Sequence, residues 1–150
     1  MGDKRPVSVL VVIHTPDLRV LLLERLSHPG FWQSVTGSQE DGESMAETAM
    51  REVAEETGLR CSPAELCDWR LSNRYEIFPE WRHRYGRGVT HNTEHVFSLR
   101  LPAEVPAKIA RAEHLGWRWL PWREAAAASF SWSNRDAILM LGLGALPGVS

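Results

Sequence analysis

The stretch that most constrains the fold runs from Gly37 to Leu59 and reads GSQEDGESMAETAMREVAEETGL. It begins as a glycine-rich acidic turn and continues with helical periodicity. Ser44 and Glu47 have the S-x-x-E spacing of a capping box, in which each side chain satisfies a backbone N–H of the first helical turn. Gly58 suits the left-handed residue that follows a last helical turn. These signals predict a helix from about Met45 to Thr57.

Two faces of this predicted helix differ in character. Small and apolar residues recur at i, i+3, i+4 and i+7 and predict a buried stripe made of Ala46, Ala49, Met50 and Val53. At about 100° per residue, another flank, expected well away from that stripe, carries Glu52, Glu55 and Glu56. The three carboxylates repel one another, and the last two lie at the unfavourable end of the helix dipole.

Folding alone gives no reason for clustering these carboxylates, whereas a bound divalent cation would remove their repulsion. Oxygen ligands of this kind suit Mg²⁺ or Mn²⁺. A solvated acidic helix face is the alternative interpretation of the three glutamates taken by themselves.

The whole stretch also fits a longer pattern, G-x5-E-x7-R-E-U-x-E-E-x-G-U, where U is a bulky aliphatic residue. The fixed positions are Gly37, Glu43, Arg51, Glu52, Val53, Glu55, Glu56, Gly58 and Leu59. This pattern resembles the Nudix box, the signature of the Nudix hydrolases. The resemblance implies one domain over residues 1–150, of class α/β, folded as an α/β/α sandwich around a mixed β-sheet.

The resemblance also implies a metal site. In the family the box glutamates bind a divalent ion, here expected to be Mg²⁺ with Mn²⁺ as a substitute. Carried over to this chain, the side-chain ligands are Glu52, Glu55 and Glu56. The backbone carbonyl of Gly37 commonly adds a ligand. Arg51 would orient the glutamates by ion pairing, and Glu43 would support the geometry of the loop and helix.

The general base varies among members of the family, and two positions stay open for it. One is Glu55 within the box, beside the expected catalytic Glu56. The other is a carboxylate from a loop outside the box, for which Glu113 is the candidate because it opens a predicted strand after a loop and can swing into the site. Glu113 is expected to act there as a base or as a further metal ligand.

Composition fits a soluble globular domain. The 150 residues are 43% hydrophobic and 24% charged, and 17 basic against 19 acidic residues give a net charge of −2. This balance indicates neither a nucleic acid nor a membrane as partner. The longest apolar run, Val9 to Ile13, is too short to span a bilayer, and no signal segment precedes it. Cys61 and Cys67 are interpreted as structural thiols, so we expect a reducing, cytoplasmic location.

Apolar and alternating runs predict strands on both sides of the acidic helix. Val7 to Ile13 is nearly continuous and β-branched, as in a strand buried on both faces, and a turn at residues 15–17 returns the chain into Val20 to Leu23. Further strand-like segments are Phe31 to Thr36, Leu66 to Tyr75, Glu94 to Leu101 and Glu113 to Leu120. Helical segments are predicted over Arg123 to Ala128 and Asn134 to Leu143.

Candidate substrate contacts lie mostly outside the box. Residues 82–93, RHRYGRGVTHNT, are predicted as a loop or loose hairpin whose arginines could bind phosphate oxygens through paired guanidinium N–H groups. A solvated basic loop is an equally good interpretation. Trp32 is either a core anchor or a wall of the substrate pocket.

Short segments along nearly the whole chain are similar to the Nudix hydrolases that act on dihydroneopterin triphosphate. They include residues 5–8, 31–38, 82–85, 92–94, 113–115 and 132–135. This resemblance implies release of pyrophosphate from a small-molecule triphosphate, leaving dihydroneopterin monophosphate in folate synthesis, with activity also on nucleoside triphosphates such as dATP. The substrate contacts would be Arg5, Trp32, Arg82, Arg84, Asn134 and Arg135, with Trp132 a further candidate.

Two other functions are compatible with the same residues. One is the same chemistry on an oxidised nucleotide, a dinucleoside polyphosphate or capped RNA. The other is a non-catalytic Nudix-fold binding module, which the retained box glutamates disfavour. The oligomeric state is open.

Overall fold

The structure is a computed structural model that describes residues 2–145. Seven strands form one sheet: β1 (Val7–His14), β2 (Arg19–Arg25), β3 (Trp32–Gln33), β4 (Val35–Ser38), β5 (Leu66–Glu76), β6 (His91–Arg100) and β7 (His114–Pro121). The helices are α1 (Met45–Thr57), α2 (Trp122–Ala128) and α3 (Trp132–Gly142). Two short 3₁₀ helices occupy Pro63–Glu65 and Pro79–Arg84.

The sheet is mixed, as predicted, and β1 lies at its centre. Strand β1 pairs in parallel with β6 along its whole length, and β5 continues the sheet antiparallel to β6. On the other edge of β1, antiparallel β4 pairs with the first half, and β2 begins its own pairing at His14 and Val20. Strand β2 then pairs with β3 and β7. Two strands therefore share one edge of β1.

Side chains of β1 alternate between two apolar clusters, which explains its continuous apolar run. Val9 and Val11 pack on one face with Val53 of α1. Leu10 and Val12 pack on the other face with α2 and α3. The sheet is thus covered by helices on both faces, and the predicted α/β/α sandwich is confirmed.

Helix α1 has the predicted bounds and caps. The Ser44 hydroxyl accepts a hydrogen bond from the Glu47 N–H at 3.1 Å, and the Glu47 carboxylate accepts one from the Ser44 N–H at 2.9 Å. Gly58 follows with φ of 75°, the left-handed conformation that glycine adopts without strain. The capping box and the glycine therefore fix both helix ends.

The predicted burial of α1 needs one correction. Ala46, Ala49 and Val53 contact the core as expected, but Met50 is not part of that cluster, and Glu52 and Glu56 are buried as well. They are only 8% and 1% exposed, because β4 packs against that side of the helix. The carboxylates therefore lie inside the fold.

Other segments differ from prediction in their ends or their type. The basic segment 82–93 is part 3₁₀ helix and part strand, since the 3₁₀ helix ends at Arg84 and β6 begins at His91. The strand predicted over Phe31–Thr36 divides at Ser34 into β3 and β4. Helix α3 begins at Trp132, two residues before the predicted start, because Ser131 caps it. No helix within residues 2–145 has the length and apolarity needed to cross a bilayer.

Candidate active site

A cavity of about 1010 Å³ gathers residues from distant parts of the chain. Its walls come from the N-terminal segment, the end of β4, the flank of α1, the ends of β5 and β6, the residues before β7 and the start of α3. Cavities of roughly 300–1,000 Å³ are typical of sites for small organic ligands. The box residues predicted to bind metal line this space with several basic side chains.

Gly37 in β4 presses its backbone directly on the Glu52 carboxylate. A Cβ atom placed on Gly37 would stand 2.0 Å from Cδ of Glu52, far inside van der Waals contact. Only glycine fits at this position, because the backbone of β4 approaches the Glu52 side chain so closely. Burial raises the pKa of Glu52, against the lowering effects of the adjacent Glu56 side chain and of Arg51.

Arg51 ties the carboxylates of the turn to those of α1, as the family resemblance implies. Its Nε donates to Glu43 at 2.6 Å, and its terminal nitrogens donate to Glu52 at 2.6 Å and to Glu55 at 3.3 Å. A further bond of 2.9 Å reaches the Ser38 carbonyl. These bonds hold β4, the turn and the helix in one arrangement.

Glu43 has the supporting position predicted for it. Its carboxylate accepts hydrogen bonds from Arg51, the Glu40 N–H and the Thr48 hydroxyl. The Arg51 hydrogen bond is the main cause that lowers the pKa of Glu43 to about 2, so this carboxylate stays ionised at neutral pH. Glu43 therefore acts as a fixed anchor for Arg51.

Glu56 is the most buried carboxyl group of the box. Neither of its oxygens has a hydrogen-bond partner among the described residues. Burial raises its pKa strongly, helped by the adjacent carboxyls of Glu52 and Glu113. The nearest ring nitrogen, Nε2 of His114, is 3.6 Å away, and burial lowers the pKa of His114 to about 4. The imidazole is neutral at pH 7 and does not compensate the Glu56 carboxyl group.

The donor chemistry of this cluster fits a hard divalent cation. Two adjacent buried carboxyls, one without partners, lie beside a backbone turn, and such oxygens are the ligands that Mg²⁺ accepts. Within residues 2–145, however, no three acidic, histidine or cysteine side chains already surround one point. Within the box, Glu55 does not join Glu52 and Glu56, because its carboxylate is 54% exposed and turned toward Arg51. The structure thus pairs Glu52 with Glu56 and leaves Glu55 at the rim.

Basic side chains line the same cavity. The predicted contacts Arg5 and Arg84 are both among them and both exposed. Arg5 also pairs with Asp41 at 2.7 Å. Lys4 and Arg25 were missed by sequence reasoning, although each lines the cavity. Burial and the nearby Arg84 charge lower the pKa of Lys4, as expected for cations crowded around a site for an anion.

Two expected substrate contacts, both arginines, lie outside the cavity. Arg82 donates to the Ile77 carbonyl at 3.0 Å and to Glu76 at 2.5 Å, which holds it to the end of β5. Arg135 lies on the exposed side of α3, where it pairs with its neighbour Asp136. Neither guanidinium lines the cavity.

Trp32 faces away from the cavity as well. Successive strand residues point to opposite faces, and it is Gln33 that lines the cavity. Trp32 instead packs on the cluster beneath α2 and α3, with the Arg118 guanidinium 4.9 Å above its ring. In the structure Trp32 therefore has the position that the core interpretation expects.

Asn134 lines the cavity, as the resemblance implies, but its side-chain hydrogen bonds are made within the fold. Its Oδ1 accepts from the Ser34 N–H at 2.7 Å, and its Nδ2 donates to the Ser34 hydroxyl at 3.0 Å. It therefore clamps the break between β3 and β4 from α3. The neighbouring Trp132 lines the cavity and is partly exposed.

Comparison with known proteins identifies the class first. The NUDIX domain family model matches residues 4–141. The chain therefore belongs to the Nudix family of hydrolases, and the family and enzyme class predicted from the box are confirmed. Enzymes of this family generally use divalent metal ions such as Mg²⁺.

Individual relatives narrow the comparison. The chain is 51% identical over 138 residues to dihydroneopterin triphosphate diphosphatase of Escherichia coli K12, covering 90% of this chain and 91% of that protein. It is 41% identical over 141 residues to the Haemophilus influenzae protein of the same name, covering 92% and 88%. The structure of the E. coli dihydroneopterin triphosphate pyrophosphohydrolase matches with a TM-score of 0.88 at 47% identity, covering 96% of this chain and 99% of that one.

Proposed function

We propose that this chain is a Mg²⁺-dependent pyrophosphohydrolase that converts dihydroneopterin triphosphate to dihydroneopterin monophosphate and pyrophosphate. The observation that carries the chemistry is the cavity, which places buried box carboxylates and several basic side chains around one space. The substrate follows from relatives that share this fold over nine tenths of the chain and carry that activity in their names. The proposal takes residues 1–150 as one catalytic domain working in the cytoplasm on a step of folate synthesis.

Glu52 and Glu56 would hold the metal, with the Gly37 carbonyl beside them and Glu55 at the rim. When bound, Mg²⁺ neutralises charge on phosphate oxygens and lowers the pKa of a coordinated water molecule. The protein's own part is to fix these oxygens in place. Arg51 does so by holding Glu52 at 2.6 Å while Glu43 anchors the guanidinium.

The triphosphate would lie along the basic side chains that line the cavity, which are Lys4, Arg5, Arg25 and Arg84. Guanidinium groups bind phosphate oxygens in pairs, and they neutralise charge that the metal does not reach. Because these residues come from the N-terminal segment, β2 and the 3₁₀ helix after β5, the folded sheet is needed to assemble them. Arg82 and Arg135 have no part in this proposal.

The proton of the attacking water would pass to a carboxylate, for which Glu55 and Glu113 are the two candidates. Glu113 lines the cavity, and its charge raises the pKa of both Glu56 and Lys4. It therefore lies close to the metal-binding carboxyls and to the cation expected to meet phosphate. Glu55 is beside them on α1, within reach of Arg51.

A second group of substrates is nucleoside triphosphates such as dATP, because metal, carboxylates and cations act on the phosphate chain that all triphosphates share. The test is incubation with Mg²⁺ and dihydroneopterin triphosphate, with dATP and an oxidised dGTP in parallel, followed by identification of the products. We expect pyrophosphate and dihydroneopterin monophosphate, at a kcat/KM well above that of either nucleotide.

Glu56→Gln should abolish the reaction, whereas Glu80→Gln, an identical change at an exposed position outside the cavity, should leave it unchanged. Preference for a nucleotide would keep the chemistry and remove the proposed substrate. Hydrolysis of none of the three would contradict the proposal.

A further inference from the structure

A polar pocket at the buried end of the cavity is not used by the chemistry described above. We call it the acceptor pocket and define it by Ser8, Tyr75, Asn92, Glu94 and Ser133, all of which line the cavity. Four of the five are almost fully buried, in contrast to the exposed Arg5 and Arg84. The cavity therefore continues past the phosphate-binding side chains into the sheet.

Hydrogen bonds inside the pocket fix which atoms remain available. The amide nitrogen of Asn92 donates to the Ser8 hydroxyl at 2.7 Å and to the Tyr75 hydroxyl at 2.9 Å. These two bonds use both N–H groups of the amide and set its orientation. The remaining amide atom, Oδ1, is buried without a partner among the described residues. It is a hydrogen-bond acceptor.

Glu94 supplies a second acceptor beside it. It lies two residues from Asn92 on β6, so both side chains point to the same face of the sheet. The residue is 4% exposed, and its Oε1 has no partner within residues 2–145. The Ser133 side chain lies close enough to lower the pKa of Glu94, against the larger effect of burial. Two unpartnered acceptors on one face call for a ligand that presents hydrogen-bond donors, since buried polar atoms are costly when left unpaired.

The phosphate chain cannot supply these donors, because its anionic oxygens would meet the Glu94 carboxyl group and the Asn92 carbonyl oxygen. A flat ring fits better. Trp81 and Phe130 line the same cavity with ring centroids 6.3 Å apart and planes at 80°. Phe78 meets Trp81 edge-on at 5.1 Å. The Arg25 guanidinium lies 4.9 Å over the Trp81 ring and Phe31 stacks on Phe130 at 4.9 Å, so the Trp81 and Phe130 rings form an apolar part of the cavity wall. An apolar wall suits a heteroaromatic ring, and the acceptors suit the edge of that ring.

We propose that Glu94 determines specificity by accepting paired hydrogen bonds from a 2-amino-4-oxopyrimidine ring, the ring that pterins and guanine share. In this ring the amino group lies next to a ring N–H, so two donors face one carboxylate. Adenine instead places its amino group next to an acceptor nitrogen and cannot satisfy both carboxylate oxygens. The inference rests on the proposed function, because it assigns the ring of that substrate to this pocket.

The chemistry of Glu94 supports the assignment. Burial raises its pKa to about 7, so the carboxyl group is poised between its two forms at neutral pH. Two N–H donors favour the ionised form. Tyr75 is the titratable neighbour, and burial followed by the charge of Glu94 raises the pKa of its phenol, which therefore stays neutral.

The test compares Glu94→Gln with the unaltered protein on three triphosphates, those of dihydroneopterin, deoxyguanosine and deoxyadenosine, in the presence of Mg²⁺. The glutamine amide has one acceptor and one donor in place of two acceptors. This pair matches the amino group and neighbouring acceptor nitrogen of adenine, but in a pterin the amide donor would face a second donor. We expect kcat/KM to fall about 100-fold for the pterin and guanine substrates, mainly through KM, and to stay within about threefold for dATP. Glu80→Gln is the matched control and should change none of the three values.

A second variant and a binding measurement keep the test decisive if Glu94→Gln folds poorly. Glu94→Asp keeps the charge and withdraws it by one methylene, so it should weaken the pterin substrate by about tenfold and retain the order of preference. Calorimetric titration with dihydroneopterin, which has no phosphate, should detect binding that Glu94→Gln loses. Equal loss on all three triphosphates, or no loss on any, would overturn the role of Glu94.

The two proposals fail in different ways. If the unaltered protein binds dihydroneopterin through Glu94 but does not cleave its triphosphate, the proposed function is wrong and the pocket assignment holds. If it cleaves the triphosphate and Glu94→Gln does so equally well, the pocket assignment alone is wrong.

Discussion

Glu56 and Glu94 are both buried glutamates that line one cavity, yet their surroundings differ. Glu56 lies among other carboxyls, with Glu52 and Glu113 adding to its raised pKa. Glu94 has neutral neighbours, and burial alone raises its pKa, opposed by the effect of the Ser133 side chain. Both carry an oxygen without a partner. The clustered carboxyls around Glu56 are stabilised by a bound cation, whereas the isolated Glu94 carboxyl is stabilised by N–H donors. Two equally buried glutamates are therefore suited to different ligands.

The largest expected effect is on the chemistry at Glu56. Glu56→Gln removes an oxygen that we propose binds the metal, and we expect kcat to fall by about a thousandfold or more, equivalent to about 4 kcal/mol. Because the metal acts on the phosphate chain, the loss should be equal for dihydroneopterin triphosphate and dATP. Steady-state kinetics on both substrates measure it. A loss confined to one substrate would contradict the assignment of Glu56 to the metal and of Glu94 to the ring of the substrate.

The next effect is a pH dependence of stability at Glu94. Its pKa is raised from 4.5 to about 7, so between these values the folded protein keeps a proton that the unfolded chain releases. Stability therefore falls as pH rises through this range, and the loss is complete above pH 7. Glu94→Gln removes this cost, and its stability relative to the unaltered protein should rise by about 3 kcal/mol from pH 4 to pH 8. Urea unfolding across the range measures it, and a difference independent of pH would contradict the buried environment of Glu94.

A smaller effect is expected at the turn that backs the metal-binding end. Gly37→Ala would place a methyl group 2.0 Å from Cδ of Glu52, so we expect a loss of about 2 kcal/mol in stability and a lower kcat. Gly116→Ala is the matched control, because no atom lies within 4 Å of a Cβ at that position. The preference for pterin over adenine should survive in both variants. Thermal unfolding and kinetics with both substrates test this separation.

The smallest effect concerns the N-terminal cap of α1, which belongs neither to the proposed metal site nor to the acceptor pocket. Ser44→Ala should cost about 1 kcal/mol of stability, since it removes the acceptor for the Glu47 N–H. Ser72→Ala is the control, because that side chain is exposed on β5 and caps no helix. Neither variant should alter substrate preference. A change in preference would mean that the helix end and the pocket are coupled.

The box and its helix could be predicted because their signals are local. The cap residues, the apolar spacing and the final glycine all lie within the predicted segment, and the helix has the predicted bounds. The central strand was equally readable from its continuous apolar run. The burial of Glu52 and Glu56 could not be read, because it depends on β4 folding back over the helix.

The pocket contacts were the hardest to predict because they come from side-chain direction in three dimensions. Arg82 and Arg84 look alike in sequence, but only Arg84 lines the cavity, while Arg82 is held by the end of β5. Trp32 and Gln33 are neighbours, but they point to opposite faces. Glu94 lies in an alternating strand, and nothing local distinguishes it from an ordinary polar strand residue.

The most direct test of the contrast between the two glutamates is Mn²⁺ binding followed by electron paramagnetic resonance, using the unaltered protein, Glu56→Gln and Glu94→Gln. This measurement needs no substrate and reports metal affinity alone. We predict that Glu94→Gln binds Mn²⁺ as the unaltered protein does, and that Glu56→Gln binds it at least about a hundredfold more weakly. Unchanged affinity in Glu56→Gln, or equal weakening in both variants, would contradict the account.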